Sequence, residues 1–245
     1  MILGSKRKLK LLDGYQLPEI VVDGNIIPYV NTTKHLGVHL SSDLSWDAHV
    51  SQLSRKAYIT LNNLKDKKNV LSESCRKLLV TATILPIIDY CSIVFLDSSK
   101  RLDSKLQRIV NRAIRFIFNL KRDEHITPYI IRRRLNWLSV KSRRHYSLAC
   151  FIYKLLETGE PKFLRGMFNS EDSDIRRSDR LAAKKNYVSF KMPNFTTVTF
   201  EHSFIVSSIR LWQELPSDIV NSYSLESFKN KAFEFFLNLG LSNGL

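Results

Sequence analysis

Arg101, Lys105, Arg108, Arg112 and Arg115 recur at spacings of four, three, four and three. On an α-helix that rhythm gathers five cations onto one arc about 80° wide, because each residue advances 100°. At 1.5 Å per residue the row is about 21 Å long, enough to follow several phosphates along a groove edge. Within the row no acid stands four residues from a base, so helix-surface ion pairs do not neutralise it. Leu102, Leu106, Ile109, Ala113 and Ile117 form a second stripe of the same helix, suited to a core. The wider window is as one-sided: residues 100–144 hold fourteen basic residues and three acids (Asp103, Asp123, Glu124), which is +11 of the chain's +15. Charge so localised fits a polyanion, whose condensed counterions are released when Lys and Arg replace them. A merely solvated basic face is the competing reading.

Arg132, Arg133, Arg134, Arg143 and Arg144 extend the positive stretch and also match, unspecifically, a nuclear localisation signal. Phe116, Phe118, Tyr129, Trp137 and Tyr146 are interleaved with it and could stack on bases, although their apolar spacing favours core packing. Reactive chemistry is harder to find. No carboxylate pair stands on a turn between strands to hold divalent cations. Phosphate-loop, serine-hydrolase and zinc-protease motifs are absent from the sequence. His35 and His39 would be about 13 Å apart on one strand at a rise of about 3.3 Å, too far to share a metal. His145 and Cys150 face different directions on a helix and read as structural. No active site and no cofactor site emerges.

Around these residues the chain reads as α+β and mainly helical. Ile20–Val22 and Ile26–Val30 flank the turn Asp23-Gly24-Asn25, and Lys34–Leu40 alternates as a third strand would. Ser45 caps a helix with Val50, Leu53, Ala57, Leu61 and Leu64 on its apolar face. A second helix starts near Ser72 and passes through Leu78–Leu96, nineteen residues with one charge, Asp89. That charge, Pro86 and several hydroxyls make the stretch a buried helix or helix pair, part of the core, rather than a membrane span. The cationic helix covers 99–120, Pro128 opens a short segment ending at Asn136, and Ser139 caps a helix that stops at Gly159-Glu160-Pro161. Beyond a polar loop at 161–185 come two short strands, 186–191 and 195–200, and helices at 203–215 and 224–239. Three separated cysteines and a basic start without an apolar core segment predict an intracellular protein, nuclear or cytoplasmic, and not a secreted one.

Several stretches resemble non-LTR (LINE-type) retrotransposon reverse transcriptases, most of all the jockey kind. Lys34-His35-Leu36-Gly37-Val38, then Leu44-Ser45-Trp46 and His49-Val50, look like that family's primer grip. Pro86-Ile87-Ile88-Asp89-Tyr90, Leu106-Gln107-Arg108 with Arg112, and Leu135-Asn136-Trp137-Leu138 before Arg143-Arg144 follow in the family's order. So do Leu211-Trp212-Gln213-Glu214-Leu215-Pro216 and Ser224-Leu225-Glu226-Ser227-Phe228-Lys229. Each motif alone is weak; their order across nearly the whole chain carries the resemblance. It implies a primer-grip-like β unit at 1–44, a helical thumb-like bundle at 45–160 and a C-terminal region at 161–245. The family's paired aspartates, which would use Mg, belong upstream of the residue corresponding to Met1, so the resemblance implies a fragment without the catalytic centre.

The expectation is a catalytically incomplete C-terminal part of an RNA-directed DNA polymerase that binds duplex backbone without sequence preference. RNA, DNA and hybrid duplexes are the candidate partners. Arg101, Lys105, Arg108, Arg112, Arg115, Arg143 and Arg144 would contact phosphates. Lys34, His35, Leu36 and Gly37 would form the grip-like turn, by resemblance only. The alternative is a helical interaction module, or a domesticated remnant, that meets other protein chains through apolar surface left uncovered by the missing palm.

Overall fold

The computed structural model describes residues 1–127, 130–168 and 190–242. These form a mainly helical α+β protein with two small antiparallel hairpins, in two compact units. Unit 1 comprises 1–91 and 98–120; unit 2 comprises 92–97 and 121–245. The division differs from the three segments expected from the sequence, because the cationic helix folds with the N-terminal part and the helix after it with the C-terminal part.

Unit 1 begins with a short helix, α1 (Lys6–Lys10), capped by Ser5. Strands β1 (Ile20–Val22) and β2 (Asn25–Ile27) pair with Val22 opposite Asn25, and every residue of both is exposed. Positive φ at Asp23 and Gly24 closes that turn, as two-residue hairpin loops require. Lys34–Leu40, expected as one strand, is instead a second hairpin of β3 (Thr32–His35) and β4 (Val38–Ser41). Leu36 and Gly37 adopt φ of 46° and 85° and reverse the chain between His35 and Val38.

Helix α2 (Asp47–Lys65) follows with Trp46, not Ser45, at its N-cap. Ser45 is still inside a turn, its N–H donating to Asp43 Oδ1 at 3.0 Å. The helix expected from Ser72 through the apolar stretch is broken. Ser72 does cap α3 (Glu73–Thr83), its Oγ accepting the Cys75 N–H at 3.2 Å. The chain then restarts as α4 (Leu85–Asp89) with Pro86 in its first turn, where a missing N–H costs least. Helix α5 (Lys100–Phe118) carries the cationic row and ends on Asn119 in the left-handed region, φ 58°. Its stripe Leu102, Leu106, Ile109, Ala113 and Ile117 is buried, together with Val110, Ile114 and Phe116. Val38, Val50, Ala57, Leu61, Val80, Ile84, Leu85 and Ile88 complete the unit 1 core.

Unit 2 contains a 3-10 turn at Ser92–Phe95 and a π-helical turn at Ile130–Leu135, followed by α6 (Val140–Thr158). Ser139 caps α6 through the Ser142 N–H at 3.2 Å, and Gly159 ends it at φ 68°. After α7 (Lys162–Arg165) the description resumes at Phe190, which is buried in the core. The strand expected at 186–191 therefore lies almost wholly outside the described residues. The strand expected at 195–200 is corrected: Thr197 Oγ1 accepts the Phe200 N–H at 3.3 Å and starts a helical turn, α8 (Val198–Glu201). Helices α9 (Phe204–Glu214), α10 (Ser217–Val220) and α11 (Leu225–Ser242) close the unit. Their Ile209, Trp212, Phe228 and Phe236 pack with Leu148, Ile152 and Leu155 of α6. Among the described residues no helix is long and apolar enough to cross a membrane.

Candidate nucleic-acid interface

The spacing that gathers five cations on α5 also lays them along its neighbour. Helices α2 and α5 run parallel, so residues 54 apart in sequence meet repeatedly along the seam. Arg101 forms an ion pair and hydrogen bond with Asp47. Lys105 Nζ donates to Ser51 Oγ at 3.0 Å. The Arg112 guanidinium stands 5.2 Å above the Tyr58 ring and reaches Asn62 Oδ1 at 3.4 Å. Arg108 turns to its own helix, Nε donating to the Ser104 carbonyl at 3.2 Å. Arg101, Arg108 and Arg112 are exposed, while Lys105 and Arg115 are half-buried. Side-chain hydrogen bonds to α2 thus hold Arg101, Lys105 and Arg112, which restricts the rotamers these long side chains can sample.

Two further cations come from the other side of the seam. Lys65 ends α2 and Lys68 opens the 3-10 turn after it; both are half-buried. Burial, and after it the charges of Arg112 and Lys68, push the Lys65 ammonium below its ordinary pKa. Arg76 on α3 donates to the Phe116 carbonyl at 2.9 Å, placing another cation at the C-terminal end of α5, where the helix dipole favours it.

The remaining residues singled out in the sequence are elsewhere. Arg143 and Arg144 belong to unit 2, on α6. Arg144 is 3% exposed and lies 4.7 Å from the centre of the Phe95 ring. It is a core residue, and its expected phosphate contact is corrected by that burial. Arg143 is half-buried, and the side chains of Arg132 and Arg133 lie outside the described ones. Of the interleaved aromatics, Phe116 and Trp137 are buried and Phe118 and Tyr146 half-buried, while Tyr129 lies outside the described residues.

Lys34, His35, Leu36 and Gly37 form the tip of the β3–β4 hairpin in unit 1. A bulky residue with positive φ is strained, and here a side chain from α4's end holds it. The Tyr90 hydroxyl donates to the Leu36 carbonyl at 2.8 Å, and its ring packs beneath Gly37. Leu36 is left 79% exposed, with Lys34 and His35 beside it also exposed. His39 lies on the opposite strand from His35 and faces buried His49 of α2, ring centroids 6.2 Å apart. Among the described residues no group of three or more His, Cys, Asp or Glu is placed to hold a metal ion.

Sequence reasoning missed Asp47, Tyr90, Lys65 and Lys68. The offset of 54 residues that brings α2 onto α5 leaves no periodic trace, so neither the ion pair at one end of the row nor the extra cations at the other could be read. No family model matches the chain, and neither the curated proteins nor the solved structures include a significant match.

Proposed function

We propose that unit 1 holds a nucleic-acid duplex by its phosphate backbone, without sequence preference, along the cationic edge of α5. On this reading the chain is the non-catalytic C-terminal part of a LINE-type reverse transcriptase, with the ordered motifs supporting the ancestry. The observation that carries the binding claim is the row itself: five cations on the edge of a helix whose other side is buried. Backbone contacts fix position on a duplex and carry no base information, so a row of Arg and Lys suffices without a groove-reading element.

The test is fluorescence anisotropy of hybrid and DNA duplexes of unrelated sequence against the full chain, titrated with salt. Similar affinities across sequences are expected, with a log–log salt slope of about −4 for four to five phosphates contacted. A flat salt response, or strong preference for one sequence, would contradict the reading.

A second reading, a protein-interaction module, is favoured by the β1–β2 hairpin. Ile20, Val21, Val22, Ile26 and Ile27 are all exposed, whereas a lone two-stranded hairpin is normally covered on at least one face. Concentration-dependent self-association in sedimentation would support it.

A further inference from the structure

We propose that Lys65, Lys68 and Arg112 form a phosphate-binding site toward the C-terminal ends of α2 and α5, occupied by a phosphodiester of a nucleic-acid backbone. The source of the phosphate rests on the duplex-binding reading above; the site itself rests on geometry. Tyr58, Asn62 and Lys65 follow one another at spacings of four and three, so they share one face of α2. Arg112 lies on that face, 5.2 Å over the Tyr58 ring and 3.4 Å from Asn62 Oδ1, three residues before Lys65. Lys68 stands in the 3-10 turn that directly follows α2.

Ordinary helix electrostatics explain part of this arrangement and not the rest. A lysine in the last turn of α2 complements the helix dipole, and Lys65 does so. Arg112 comes from a different helix and adds a like charge at the same place. Among the described residues no carboxylate pairs with any of the three, whereas Asp47 offsets Arg101 and Asp43 offsets Lys6. Burial first, and the charges of Arg112 and Lys68 after it, hold the Lys65 ammonium below its ordinary pKa. Like charges held together destabilise the fold unless an anion enters between them. Two ammonium groups and a pre-positioned guanidinium supply donors on several sides, which suits the two non-bridging oxygens of a phosphodiester.

The row is therefore unequal. Its N-terminal end is offset by Asp47, and its phosphate-holding centre is at the Arg112 end, with two residues that do not belong to α5.

Two arms test this with the full chain. In the first, hybrid-duplex affinity is measured by anisotropy for Lys65→Gln, Arg112→Gln and a control, Lys154→Gln on α6. The first two are each expected to weaken binding about five- to tenfold and to reduce the salt slope by about one, with the control unchanged. In the second, inorganic pyrophosphate is titrated while lysine side-chain NMR signals are followed. Those of Lys65 and Lys68 are expected to move together, and Arg112→Gln to abolish the movement. If the wild-type chain binds no duplex but the pyrophosphate shift persists, the phosphate site stands, its ligand is a free oligophosphate, and the duplex reading falls. If duplex binding ignores Lys65 and Arg112, and pyrophosphate moves neither lysine, the site is overturned and the duplex reading survives.

Discussion

His49 lies buried on α2, and its Nδ1 accepts the His39 backbone N–H at 3.3 Å. That nitrogen must be unprotonated to accept. Burial first, and the neighbouring His39 second, hold the His49 pKa below its ordinary value. The folded state therefore takes up a proton less readily than the unfolded one. Stability is full above the unfolded histidine pKa of about 6.5 and declines as pH falls from there toward the folded-state value. Denaturant midpoints measured between neutral and mildly acidic pH should drop, and His49→Gln should flatten that dependence; an unchanged slope would contradict the account. The hairpin tip makes a second prediction. Gly37 has φ 85°, and a Cβ there would come within 3.0 Å of Tyr90 Cε1. Gly37→Ala should cost about 1–2 kcal/mol from backbone conformation alone, read as a lower thermal midpoint. The exposed residues Lys34 and His35 should tolerate alanine within about 0.5 kcal/mol.

At the scale of the element, α5 divides its labour between two sides. Leu106 is fully buried and Arg108, two residues on, is exposed. Leu106→Ala should destabilise by about 2–5 kcal/mol through lost transfer energy and the cavity left behind. Arg108→Ala should stay within about 0.5 kcal/mol, and its effect should appear in duplex binding instead. Equal costs for the two in chemical denaturation would mean that the exposed edge is structural. The legibility of this helix follows from its local causes. Its 3.6-residue pattern, its apolar stripe and its start at Ser99 all depend on neighbours within a few turns. The same holds for α6, whose Ser139 cap and Gly159 stop are written in adjacent residues. Where the sequence misled, alternation was mistaken for extension. Leu36-Gly37 interrupts one apparent strand with a turn that only positive φ reveals, and Thr197 turns another into helix by capping it.

Across the whole molecule, the basic window spreads over sites of very different burial. A run of basic residues near +11 contains exposed arginines on α5 and also Arg144, buried against Phe95 in unit 2. Sequence spacing does not separate the two, because the burial of Arg144 depends on Phe95, far from it along the chain. The same limit hid Asp47, Lys65 and Lys68, which meet the row only through the parallel docking of α2. Unit 2 itself is built around aromatic contacts such as Tyr153 stacked on Phe228, centroids 4.4 Å apart, and its described residues bring together no metal-ligating group. The proposed binding edge lies on α5 in unit 1.

The most direct measurement is the salt dependence of hybrid-duplex binding by the full chain beside the double charge reversal Arg108→Glu/Arg112→Glu. A steep wild-type slope, about −4, is expected, with its magnitude reduced by about two or more in the variant while circular dichroism stays unchanged. Equal slopes for the two proteins, or no binding by the wild type at low salt, would contradict it.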